Sequence, residues 1–329
     1  MKKLYSEKAA VSLLFLFSFL LTVSNGAKIL FLLPIASRSH VHVFEPYISG
    51  LASRGHDIVS ISPMILPNMP SNVEQIMVID VDQVLKTSVH PFEMRKAGKL
   101  ATLFNSTSTG AALGASCNKV FDHPRVQRML KEESFDLVVI DILANFCVAG
   151  IVHHFKAPSI QLTTMAAPNY IANRIGNRPI TSFVPSNFFE FTDRMSFLER
   201  VSNTVLDLFV LFMSDNFFIQ VMDKVYQDRL GKNYPSSAEI GANMSMLFMN
   251  SHPVMTFPRP LLPDVIEVGG MHCKDGKKLP KVQTPHSCVT FLPEILYDFF
   301  WFSISYRILN NFCPDLEMKD SFCLVWGPL

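Results

Sequence analysis

The sequence predicts an α/β fold, a doubly wound, Rossmann-like parallel sheet. Three observations carry this: short, continuously apolar runs end abruptly at polar residues or proline, stretches of helical spacing lie between them, and the two alternate along the chain. With 329 residues, 49% of them hydrophobic, there is ample material for a packed core. The 28 Phe and 16 Met suit large apolar cores and, equally, adaptable apolar pockets. A formal net charge of +1 provides no excess field toward nucleic acid or an anionic membrane.

Taken in order, Lys2, Lys3 and Lys8 precede the apolar run Ala9 to Val23, which closes on Ser24 and Gly26. Residues 1–26 therefore read as a cleaved secretory signal; an uncleaved anchor or a buried first helix is the alternative, but the run is short for a bilayer span. Lys28 to Leu33, stopped by Pro34, suits a strand buried on both faces. Ser37 to His40 reads as a polar loop, and Val43 to Arg54 as a helix stopped by Gly55. Asp57 to Ile61 resumes as a strand, completing one βαβ unit with a right-handed crossover.

Gln75 to Val81 reads as a further strand, and Phe92 to Leu103 and Arg125 to Lys131 as helices. The β-prone run Phe135 to Ile140 ends at Asp141, followed by a helical stretch to Phe155 and a strand at Ser159 to Leu162. Ile175 to Phe191 reads as a long loop. Ser196 to Leu230 is heavily apolar; its stretch Val205 to Met213 is short for a span and reads as buried helix or as a greasy face over a pocket, with membrane-surface contact open. Met246 to Asn250 and Val265 to Val268 are expected as the last strands.

In doubly wound sheets, sites collect at the carboxyl ends of the strands, which brings the loop with His40 and the loop after Asp141 to one rim. A histidine held by a carboxylate is a general base, because the acid stabilises imidazolium and selects the tautomer. On the residues alone His42 and His56 compete for that role. No GxGxxG or P-loop follows the first strand, which disfavours a nucleotide-binding first half and a nicotinamide-dependent dehydrogenase. GxSxG and HExxH are also missing. The sequons at Asn105 and Asn243 are candidate glycosylation sites in a lumenal compartment. Six widely spread cysteines without a CxxC pair suggest neither a zinc site nor a dense disulfide framework.

Several segments, in order, resemble the UDP-glucuronosyltransferase-like glycosyltransferases, particularly insect members. They are Ser39 to Pro46, the Arg54-Gly55-His56 turn, Phe135 to Asp141, Gly176 to Pro185, Thr192 to Phe197, Met249 to His252 and Val268 to His272. The resemblance implies a two-domain GT-B enzyme, of which residues 27–280 would be the Rossmann-like acceptor-binding domain. It also implies His40 as general base and Asp141 as supporting acid, with His56 structural. The implied reaction is inverting transfer of a hexose or glucuronic acid from a UDP-sugar to a small lipophilic acceptor. The expected location is the endoplasmic reticulum lumen, and the expected partners are family members in homo- or hetero-oligomers. The resemblance stops beyond Pro280, and nothing in Lys281 to Leu329 matches the family's donor motif. From this the second, donor-binding domain is expected to be missing, no cofactor to be bound by this chain, and the chain to be inactive alone or a noncatalytic, lipophile-binding or regulatory fragment.

Overall fold

The computed structural model describes residues 26–79, 106–143, 145–186 and 191–273. The expected signal peptide, the helix expected at Phe92 to Leu103, Asn105 and residues 281–329 lie outside the described residues. Seven strands form one sheet: β1 Lys28–Leu32, β2 Asp57–Ser62, β3 Val73–Met77, β4 Leu137–Asp141, β5 Ser159–Thr163, β6 Met246–Met249 and β7 Val265–Glu267. Their order is β3-β2-β1-β4-β5-β6-β7, with every neighbouring pair parallel. The order reverses between β1 and β4, so the crevice that such sheets use for ligands opens between the ends of these two strands.

Alternation along the strands builds two cores. Ile29, Phe31 and Leu33 face one side with Ile58 and Val139, beneath helix α1 (Arg38–Ala52), which contributes Val41, Phe44 and Ile48. Leu30, Leu32, Val59, Ile61, Val138 and Ile140 face the other side. There they meet α2 (Ser106–Asp122), α3 (Pro124–Glu132), the 3-10 turn Phe146–Val148 with α4 (Ala149–Phe155), and the later helix α7 (Ile219–Leu230). Both faces being covered explains the nearly continuous apolar strands.

Four local differences from the sequence reading have physical causes. Helix α1 begins at Arg38, not Val43: Ser37 caps the helix by accepting the His40 N–H, and Val41 is already buried, ahead of the apolar spacing. Strand β3 begins two residues early because Val73 pairs in register with Ile58. Helix α2 is concealed in the sequence by Gly and Ser, yet it buries Cys117, Val120 and Phe121. The short helices α5 (Asn169–Arg174) and α8 (Ser237–Ala242) are also additional; α8 carries a capping box, Ser236 with Glu239.

The apolar segment after Ser196 is helix α6 (Phe197–Met213), which runs through a π-turn (Ser214–Phe218) into α7. It is not the buried helix the sequence suggests. Asn203, Leu206 and Val210 face inward, whereas Phe197, Leu198, Val201, Val205, Leu208 and Phe212 are exposed. The continuous helix Phe197–Leu230 is the one among the described residues that is long and apolar enough to cross a membrane by length and composition. Cys117 and Cys147 form a disulfide with Cα atoms 6.1 Å apart, tying α2 to the 3-10 turn.

Candidate functional site

His40 stands in the first turn of α1 and Asp141 is the last residue of β4, on the two sides of the switch point. Their side chains meet: His40 Nδ1 lies 3.2 Å from Asp141 Oδ2. Asp141 has no exposed surface, while the His40 side chain keeps a quarter of its own. The second carboxylate oxygen, Oδ1, accepts the Leu143 N–H at 3.1 Å. Two bonds thus fix the carboxylate plane. The contact suits the Nδ1–H tautomer of His40, because a ring N–H donates and a carboxylate oxygen accepts. Ser37 Oγ caps the His40 N–H and also meets Ser39 Oγ at 2.8 Å, so the turn bearing the histidine is itself held.

The other two histidines near the motif separate from this pair. His42 bonds Glu45 at 3.1 Å on the exposed face of α1. His56 Nδ1 accepts the Ala27 N–H at 3.0 Å, joining the turn after α1 to the entry of β1, as expected for a structural residue. Asn243 is exposed at the end of α8, where its side chain is reachable.

Sequence reasoning passed over two residues here. Asn145, fully buried, accepts the Ile35 N–H through Oδ1 at 2.8 Å and donates from Nδ2 to the Ile35 carbonyl at 3.1 Å. Its signal was a single amide inside the apolar stretch that follows Asp141. Arg174 lies between the Phe146 and Tyr170 rings, its guanidinium 5.2 and 5.5 Å from their centres, and donates to Ser214 and Asp215. Burial raises the Tyr170 hydroxyl pKa, an effect that Arg174 opposes and Asp141 adds to. Among the described residues no group of three His, Cys, Asp or Glu could hold a metal ion.

Fold and site together define a class: a doubly wound α/β domain that presents an acid-held histidine at its switch point. The model of the UDP-glucoronosyl and UDP-glucosyl transferase family matches residues 28–286, and the chain belongs to that family. UDP-glucosyltransferase 2 of Dactylopius coccus is 30% identical over 271 residues, covering 82% of this chain and 52% of that protein. Human (Homo sapiens) UDP-glucuronosyltransferase 2B7 is 27% identical over 289 residues, covering 83% and 54%. The chain therefore spans about half the length of the curated relatives it matches. Among solved structures, the glycotransferase of kitacinnamycin aligns over 79% of this chain and 54% of its own at 12% identity and a TM-score of 0.40. That likeness is too loose to carry an argument, and the sheet order carries the fold assignment.

Proposed function

We propose that this chain supplies the acceptor side of an inverting glycosyl transfer from a UDP-sugar to a hydroxyl of a small lipophilic molecule. The observation that supports this most is the His40–Asp141 contact at the switch point of a chain belonging to this family. In the proposed step, His40 Nε2 takes the hydroxyl proton as the acceptor oxygen attacks the anomeric carbon. The bond from that carbon to the diphosphate breaks, and UDP leaves with the electron pair. Asp141 stabilises the imidazolium that forms and keeps Nδ1 protonated. Holding the sugar and diphosphate in line is assigned to the part of the relatives' length that this chain does not span.

The test is transfer from UDP-glucose or UDP-glucuronic acid to a phenolic acceptor, using this chain alone and joined to the second half of a relative. His40→Ala is expected to lower kcat by roughly 10³-fold or more. Undiminished transfer by that variant would overturn the assignment. Acceptor binding without turnover in either form would favour the noncatalytic reading.

The lumen of the endoplasmic reticulum is the proposed location, supported by the signal-like start and by a disulfide, which persists in oxidising compartments. Helix α6 is proposed to lie on a membrane surface there. Its exposed stripe carries no charged side chain from Val201 to Phe212, which suits lipid. Its inner face stays with the domain. Asn203 bonds Ser186, Thr181 and Val184, and Asp207 accepts from Asn169, which favours an in-plane helix over a spanning one. Flotation with phosphatidylcholine vesicles is expected to carry the chain upward, and Leu208→Asp with Phe212→Asp to abolish this. A wild-type chain that stays at the bottom, or that self-associates through the stripe instead, contradicts the membrane reading.

A further inference from the structure

We propose that Asn145 is the positioning residue that sets His40 against Asp141. Strands β1 and β4 lie on the two sides of the switch point. These strands pair up to Leu32 and Ile140, after which the chains part. Beyond that point each strand goes on bonding its other neighbour: Leu33 N–H goes to Ile61 of β2, and Ile142 N–H to Leu162 of β5. The β1–β4 register therefore stops at the switch point, where the crevice opens. The Asn145 side chain joins the two loops just past that end. One amide accepts the Ile35 N–H and donates to the Ile35 carbonyl, as a strand neighbour would, across 110 positions of sequence.

These two bonds close a ring around the site. Asn145 holds Ile35; two residues on, Ser37 caps the turn bearing His40; His40 meets Asp141; and Asn145 follows Asp141 closely along the chain. A buried amide is the side chain suited to the task, because it offers a donor and an acceptor in one plane. Aspartate would set a carboxylate oxygen against the Ile35 carbonyl. Alanine would leave both Ile35 groups unpartnered at a residue only 2% exposed. Asn145 itself has no exposed surface, so it acts through His40 and not on substrate.

The test reads the His40 ring directly and does not depend on turnover. With ¹⁵N-labelled histidine in the full chain, long-range ¹H–¹⁵N correlations are expected to show a single His40 tautomer, protonated at Nδ1. Asn145→Ala and Asn145→Asp are expected to turn this into a mixed pattern. Asn203→Ala removes an equally buried asparagine that ties another loop, and is expected to lower stability while leaving the His40 pattern unchanged. Joined to the second half of a relative, the Asn145 variants are expected to lose roughly 10²-fold in kcat with KM for the UDP-sugar unchanged. A mixed tautomer in the wild type, which can be measured even if the variants fail to fold, overturns the proposal. So does a folded Asn145 variant that keeps the single tautomer. The catalytic meaning rests on the transferase reading, but a tautomer that responds to Asn145 in a chain without transferase activity would sink only that reading.

Discussion

A carboxylate with no exposed surface is costly unless its oxygens are partnered, and Asp141 meets that condition with one bond to each oxygen. Its identity and that of His40 were readable in the sequence, because both follow apolar strands and the family's segments surround them. Asn145 was not readable as a clamp: its partner, Ile35, lies 110 positions away, and only the fold brings them together. The same holds for Gly150. A Cβ there would stand 2.5 Å from Cδ2 of Tyr226, whose ring is fully buried and whose hydroxyl lies 2.7 Å from the Pro235 carbonyl and 3.1 Å from Asp223 Oδ1. Since the ring cannot swing aside, Gly150→Ala is expected to cost roughly 1–3 kcal/mol. A lower urea midpoint at unchanged m-value is the measurement; an unaltered midpoint would contradict the close packing.

At the scale of elements, strands were more legible than helices. A strand buried on both faces announces itself as a short apolar run, whereas a helix can begin at a cap such as Ser37, well before its apolar spacing becomes evident. Helix α6 shows a different limit: its apolar content was plain, but the side facing outward depended on Asn203, Leu206 and Val210 finding the domain. The amino-terminal edge of the sheet supplies a pH prediction. Glu133 pairs with Lys28 and Arg125 beside β1. Burial would raise its carboxyl pKa, but the bonds from Lys28 and Arg125 outweigh burial and hold the group below the ordinary value of 4.5. A lowered acid pKa contributes stability above the unfolded value, lost as pH falls through the folded one. Glu133→Gln is expected to be less stable than wild type at pH 7 by about 1 kcal/mol or less, with the gap closing below about pH 4. Urea midpoints of both proteins at the two pH values decide it; a gap that persists in acid would assign the effect to something other than charge.

For the whole molecule, the Cys117–Cys147 bridge joins elements 30 positions apart, and it ends two residues from Asn145. Closing a loop of that length is worth about 3–4 kcal/mol in the chain-entropy account. A reductant is therefore expected to lower Tm, and Cys117→Ser to reproduce the shift; a peptide map under non-reducing conditions should recover the linked pair. Free thiols at both positions in protein from an oxidising compartment would contradict the bridge. By itself the sequence determined the alternating α/β plan, the family and the placing of His40 and Asp141 on one rim, because apolar runs, stops and motif segments are local along the chain. The tertiary structure alone decided the strand order that sets the switch point between β1 and β4, the disulfide pairing, the outward face of α6 and the Asn145 clamp. Each depends on which distant segments come to lie side by side, and no local pattern encodes that.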